Sequence, residues 1–138
     1  MRSRALLLVA SCLLLAADAK DDAKTKQEVE KFAGTWTVVT RNDKKPTDRK
    51  WVLTGDKITD HRGDKSQDGK FKIDPAKKHI DLVGKDVTFV GIYEFSDGDK
   101  KLKVCGAQVP AGKDKEEVRP KELTLKKGWI LFQLERAK

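Results

Sequence analysis

Apolar residues recur at every second position through much of this chain. Lys70-Phe71-Lys72-Ile73 alternates charged and apolar side chains, the spacing of a half-buried strand, and Asp74-Pro75 closes it. Lys101 to Cys105 alternates in the same way. Trp36 to Thr40 is aromatic and β-branched, and Trp51 to Thr54 and Lys57 to His61 flank Gly55-Asp56, a turn signal. His79 to Val83 adds a short strand, and Val87 to Phe95 a long one rich in residues of high β-propensity. Asp97-Gly98 is a hairpin turn. Gly106 to Pro120, with two prolines and a charge cluster, reads as a long loop. Lys121 to Leu125 and Trp129 to Glu135 read as a final hairpin across Lys126-Lys127-Gly128. The total is about eight or nine short antiparallel strands with tight connections, which predicts an all-β barrel or sandwich.

Two segments break the alternation. Val87 to Phe95 and Trp129 to Leu134 are apolar on both faces: Val90 and Ile92 point opposite to Phe89, Tyr93 and Phe95, and Ile130, Phe132 and Leu134 opposite to Trp129 and Leu131. Such strands need cover on both sides, from the core on one and from a helix or a partner on the other. A single helix is expected, Asp21 to Phe32. Thr25 and Glu28 have capping-box spacing, and Val29 and Phe32 share a face. No internal repeat or low-complexity segment interrupts the pattern.

The first nineteen residues have a different character. Arg2 and Arg4 precede an apolar run from Ala5 to Leu15, and Ala17-Asp18-Ala19 supplies a small-x-small cleavage pattern. This predicts a signal peptide over residues 1–19 and a mature domain over 20–138, placed in the periplasm or secreted. The run is shorter than the roughly 20 apolar residues that a membrane span requires. Val9-Ala10-Ser11-Cys12 loosely matches a lipobox, but the apolar run continues past Cys12, so cleavage after Ala19 is preferred.

The mature 119 residues make one domain. The chain has 30 Lys and Arg against 22 Asp and Glu; removing Arg2, Arg4 and Asp18 leaves 28 and 21, a net charge of +7. Both signs are mixed, as in Lys113-Asp114-Lys115-Glu116-Glu117, which marks a solvated surface. No helix-turn-helix, zinc-finger or RNP-like pattern is present, so no nucleic-acid partner is expected. Only Cys105 remains in the mature chain, which excludes an internal disulfide and predicts a buried thiol. His61 and His79 have no catalytic or metal-ligating context, and there is no Ser–His–Asp order, P-loop or dinucleotide fingerprint. No enzyme activity, cofactor or metal is expected. Arg62-Gly63-Asp64 spells an adhesion tripeptide but lies in a charged stretch, His61 to Asp68, that reads as a solvated loop.

Gly34-Thr35-Trp36 opens the first strand straight after the helix, and Leu134-Glu135-Arg136 closes the last. This pairing resembles the lipocalin (calycin) superfamily, in which a Gly-x-Trp begins the barrel and a late Arg packs across the Trp ring. A closer resemblance is to a lipocalin-like family of small exported proteins of planctomycete bacteria, whose function is uncharacterised. The matching pieces are Gly34-Thr35-Trp36-Thr37-Val38-Val39, Gly69-Lys70-Phe71-Lys72-Ile73-Asp74-Pro75, His79-Ile80-Asp81-Leu82, Gly91-Ile92-Tyr93-Glu94, Gly98-Asp99 with Leu102-Lys103-Val104-Cys105, and Arg119-Pro120. The resemblance implies a small up-and-down barrel of about eight strands, plugged by Gly34, Trp36 and Arg136. Familiar lipocalins are longer and add a helix after the barrel, whereas here Lys138 follows the last strand.

Two functional readings follow. In the first, a monomeric barrel encloses a small apolar ligand, with Phe71, Phe89, Tyr93, Phe95 and Val104 as candidate lining residues. Arg119 and Tyr93 are then candidate clamps for a carboxylate head group. In the second, the lumen is filled and the barrel is a structural or interaction module at the cell envelope, its basic surface meeting acidic polymers or another protein. Eight strands leave room for either a packed core or one small ligand.

Overall fold

The computed structural model describes residues 23–46, 48–110 and 118–137. The leader, its Cys12 alternative and the first two residues of the expected helix lie outside these described residues. A helix, α1, spans 23–32. Eight strands follow: β1 Gly34–Arg41, β2 Arg49–Thr54, β3 Lys57–Arg62, β4 Lys65–Asp74, β5 His79–Val83, β6 Val87–Ser96, β7 Lys101–Pro110 and β8 Ile130–Arg136. They form a closed barrel in chain order, every neighbour antiparallel, with Trp36 of β1 opposite Arg136 of β8. The alternation predicts an all-β barrel or sandwich and the resemblance an up-and-down barrel of about eight strands; the structure is that barrel, with a short N-terminal helix. Closure removes the unpaired strand edges that an open sheet would expose.

Tight turns set the register. Thr54 pairs with Lys57 across Gly55-Asp56, and Arg62 with Lys65 across Gly63-Asp64. Gly55 and Gly63 have φ of 60° and 63°, the left-handed conformation that two-residue hairpins demand at their centre. Arg62-Gly63-Asp64 is therefore the tip of a hairpin.

Three expected boundaries change. The stretch read as a charged loop contains the start of β4, because Lys65 to Gly69 pairs residue for residue with β3 despite its polar sequence. The expected loop from Gly106 begins later, since β7 continues to Pro110. Gly106 is a packing feature: a Cβ there would lie 2.5 Å from the Phe89 ring and 2.7 Å from the Val90 carbonyl oxygen. Lys121 to Leu125 forms no strand, because β8 already pairs with β7 on one side and β1 on the other.

The interior holds one cluster, including Phe32, Trp36, Val38, Trp51, Leu53, Phe71, Ile80, Tyr93, Val104, Phe132 and Leu134. Val90, Cys105, Ala107 and Leu131 are also buried but stand outside it, on the outer face that strand alternation assigns them. The segment 118–128, a strap laid on the barrel wall, supplies part of that cover at Cys105 and beside Gly91, where a helix is one of the two covers expected from the sequence. The Cys105 thiol donates to the Thr124 carbonyl oxygen at 3.4 Å, and Arg119 Nη1 donates to the Gly91 carbonyl oxygen at 2.8 Å. Helix α1 instead stoppers one end. Thr25 lies within it rather than at its cap, and Glu28 turns into the barrel.

Candidate functional site

The two ends of the barrel are built differently. At the closed end Trp36 is fully buried, and its Nε1 donates to the Phe32 carbonyl oxygen at 2.9 Å. The Arg136 guanidinium lies 4.2 Å from the Trp36 ring centroid, within cation–π range. The same guanidinium donates to the carbonyl oxygens of Ala33 at 2.8 Å and Lys31 at 2.6 Å, satisfying acceptors that the end of α1 leaves open. Gly34 has φ of 120°, and a Cβ there would approach Arg136 Nη1 to 3.2 Å. The Gly-x-Trp spacing thus leaves the space that the arginine occupies.

Phe32 carries the plug inward. Its ring meets Tyr93 at 4.9 Å, Phe95 at 4.8 Å and Phe71 at 5.6 Å between centroids. Beneath the helix, Glu28 Oε1 accepts from the Tyr93 hydroxyl at 3.1 Å and from Lys78 Nζ at 3.2 Å, and Oε2 lies 3.3 Å from Lys31 Nζ. Burial alone would raise the Glu28 pKa, but these hydrogen bonds and the Lys78 charge outweigh it and hold the carboxyl below its ordinary range. Burial, and then the Glu28 charge, push Tyr93 well above a normal phenol, so it remains a donor. On the strap side, burial also raises the Cys105 thiol, partly offset by its bond to Thr124. A raised pKa is the opposite of what a nucleophilic thiol requires.

The other end is open. A second aromatic group, Trp51 against Phe132 at 4.8 Å and Phe132 against Phe89 at 5.8 Å, forms a floor across the lumen. Above it is a cavity of about 120 Å³, bordered by Trp51, Ile58, Leu82, Phe89, Ile130 and Phe132 and by a polar rim. In that rim Arg49 grips Asp60 with two bonds, Nε to Oδ1 at 3.1 Å and Nη2 to Oδ2 at 2.8 Å. Arg62 Nε donates to Asp60 Oδ2 at 3.1 Å. The Arg49 guanidinium also lies 5.0 Å from the Phe132 ring centroid, so the floor helps to orient it. Arg41 borders the same mouth. Asp68 does so too, but it pairs with Thr59 on the outward side of the alternation and accepts from the Thr59 hydroxyl at 2.9 Å. Trp51 is 2 % exposed, and its Nε1 has no hydrogen-bond partner among the described residues.

The expected lining residues divide between these regions. Phe89 borders the mouth cavity. Phe71 and Tyr93 belong to the closed-end packing, and Val104 is fully buried in the cluster between the two ends. Phe95, Tyr93 and Arg119 border a broad groove outside the barrel, between α1 and the strap. Arg119 does not clamp anything in the lumen. It reaches the Ile80 and Gly91 carbonyl oxygens and lies 2.9 Å from Asp81 Oδ1, a coulombic contact on the outer wall. Tyr93 is committed to Glu28. The two therefore do not converge on a shared head group. Among the described residues no three His, Cys, Asp or Glu side chains gather as metal ligands.

Sequence reasoning missed Arg49, Trp51, Asp60, Arg62 and Phe132 as neighbours. A signal was present. The two-residue turn at Gly55-Asp56 pairs Trp51 with Asp60 and Arg49 with Arg62, and period-two alternation turns all four to the side of Leu53 and Ile58.

The fold and its two ends define a closed eight-stranded antiparallel barrel, plugged at one mouth and open at the other. No family model, curated protein or solved structure matches this chain.

Proposed function

We propose that this chain is an exported, lipocalin-like barrel that holds a small, partly apolar molecule in its open mouth. The leader pattern of residues 1–19 supports export, and the Trp36–Arg136 plug supports the lipocalin-like reading. The observation that carries ligand binding is the mouth itself: an aromatic floor, a cavity of about 120 Å³ above it, and a rim in which Arg49 and Arg62 stand over that floor.

The size of the cavity bounds the occupant. A cavity of roughly 150 Å³ accepts a single benzene ring. At about 120 Å³ this open-mouthed cavity holds at most one ring or a short alkyl chain, and no sterol or long acyl chain, since the closed half is filled by Phe71, Tyr93, Val104 and their neighbours.

Titration of the chain with single-ring aromatics, fatty acids and sterols, read by tryptophan fluorescence, tests the proposal. Single-ring compounds should give a saturable change that Trp51→Phe abolishes, and the larger classes should give little. No response to any class would leave the second reading, a filled structural or interaction barrel.

A further inference from the structure

The geometry points to a compact organic carboxylate as the occupant of the mouth, its charge set against Arg49 and Arg62 above the aromatic floor. This inference rests on the pocket proposed above and adds the sign and chemistry of the ligand.

Charge in the mouth is uneven. Arg41, Arg49 and Arg62 border it, and Asp60 is the carboxylate among the described lining residues that faces inward, Asp68 being turned to Thr59. Two guanidiniums share the one Asp60 carboxylate. That carboxylate neutralises only one of them, so positive charge remains above an apolar floor, where low-dielectric walls focus it. A cation there meets repulsion, and a neutral molecule gains chiefly buried area. A carboxylate gains charge-assisted bonds from donors already held in place.

The geometry also limits what moves. Arg49 is fixed by its two-pronged grip on Asp60 and by the Phe132 face, and its side chain is 11 % exposed. The Arg62 side chain is 58 % exposed at the hairpin tip. Arg62 can therefore turn part of its donor fork to a ligand while Arg49 keeps Asp60 satisfied. A planar carboxylate matches that fork, whereas an alcohol or amine does not. The cavity limits what stands behind the carboxylate to one ring at most.

Benzoate, benzyl alcohol and benzylamine share a ring and differ in charge, so they separate this inference from the pocket beneath it. With the full chain, calorimetry should give benzoate an affinity at least about tenfold above benzyl alcohol, or about 1.4 kcal/mol, with benzylamine weakest. Among the three tryptophan indole N–H resonances, the one removed by Trp51→Phe should shift on adding benzoate, while those of Trp36 and Trp129 stay in place. Arg62→Gln should lower benzoate affinity several-fold and leave benzyl alcohol unchanged. Equal binding of benzoate and benzyl alcohol, or unchanged benzoate affinity in Arg62→Gln, would overturn the carboxylate assignment and leave the pocket standing. Failure of all three ligands to bind would remove the pocket reading itself.

Discussion

Glu28 is the residue on which helix and barrel meet. It is 7 % exposed and takes bonds from Tyr93, Lys78 and Lys31, one on its own helix and two from the barrel. A buried carboxylate survives only when paired and hydrogen-bonded, and here three donors meet that condition. Its folded-state pKa lies below the ordinary glutamate value of 4.5. The stabilisation is therefore complete above the unfolded pKa and is lost as pH falls through the folded one. Urea titrations of the wild type should show stability falling on the acid side of 4.5, with a shallower fall in Glu28→Gln. At neutral pH both Glu28→Gln and Tyr93→Phe should cost about 1–3 kcal/mol, the range for a hydrogen bond to a charged group. Equal acid limbs in wild type and Glu28→Gln would show that the carboxylate contributes nothing as an anion. Beside it, Gly34 and Arg136 act together: the missing Cβ and the left-handed φ let the guanidinium reach both the Trp36 face and the helix end.

At the scale of elements, the strap explains why β6, β7 and β8 carry apolar residues on both faces. Arg119 ties it down through the Gly91 carbonyl oxygen and Asp81, and Pro120 is fully buried beside that anchor. Arg119→Met should destabilise the barrel by about 2–4 kcal/mol, because Asp81 is left without its partner in a largely buried site. It should also expose Cys105. Site-resolved alkylation by mass spectrometry should proceed several-fold faster at Cys105 in the variant, and an unchanged rate would mean that the strap is held by other contacts. The strap was not legible in the sequence, since Lys121 to Leu125 alternates like a strand. What cancels that pattern is non-local: the barrel closes through β1 and β8, so no ladder remains for it. The start of β4 was missed for a related reason. Lys65 to Gly69 is polar because one face meets solvent and the other, with Gln67 and Gly69, borders the mouth rather than the core. Strand segments facing the packed half, such as Lys101 to Val104 of β7 and the Phe71 end of β4, carried the expected apolar alternation. The plug was readable through the resemblance, because Gly34-Thr35-Trp36 and Arg136 match a spacing that the resemblance supplies. The rim was missed although the Gly55-Asp56 turn carried its register, because Arg49, Asp60 and Arg62 are charged and core-facing positions are sought among apolar residues.

The whole molecule divides its two ends between stability and recognition. The closed end concentrates burial, with Trp36, Phe32 and Tyr93 nearly inaccessible and linked by edge contacts and directed hydrogen bonds. The open end keeps polar groups partly wet and a cavity unfilled, an arrangement that sacrifices packing. Substitutions at the two ends should therefore act on different quantities. Trp36→Ala removes a large buried ring and the platform for Arg136, so it should cost about 3–5 kcal/mol. That is a large part of the 5–15 kcal/mol typical of a whole domain. Arg62→Gln alters an exposed member of an ion-pair network and should change stability by no more than about 1 kcal/mol. Urea midpoints for the two variants, measured beside the wild type, separate these expectations. If Arg62→Gln were as damaging as Trp36→Ala, the rim would be a structural clasp rather than a recognition surface. If Trp36→Ala were mild, the aromatic floor of Trp51, Phe89 and Phe132 would have to hold the barrel closed, and the mouth could not yield to an occupant without loosening the fold.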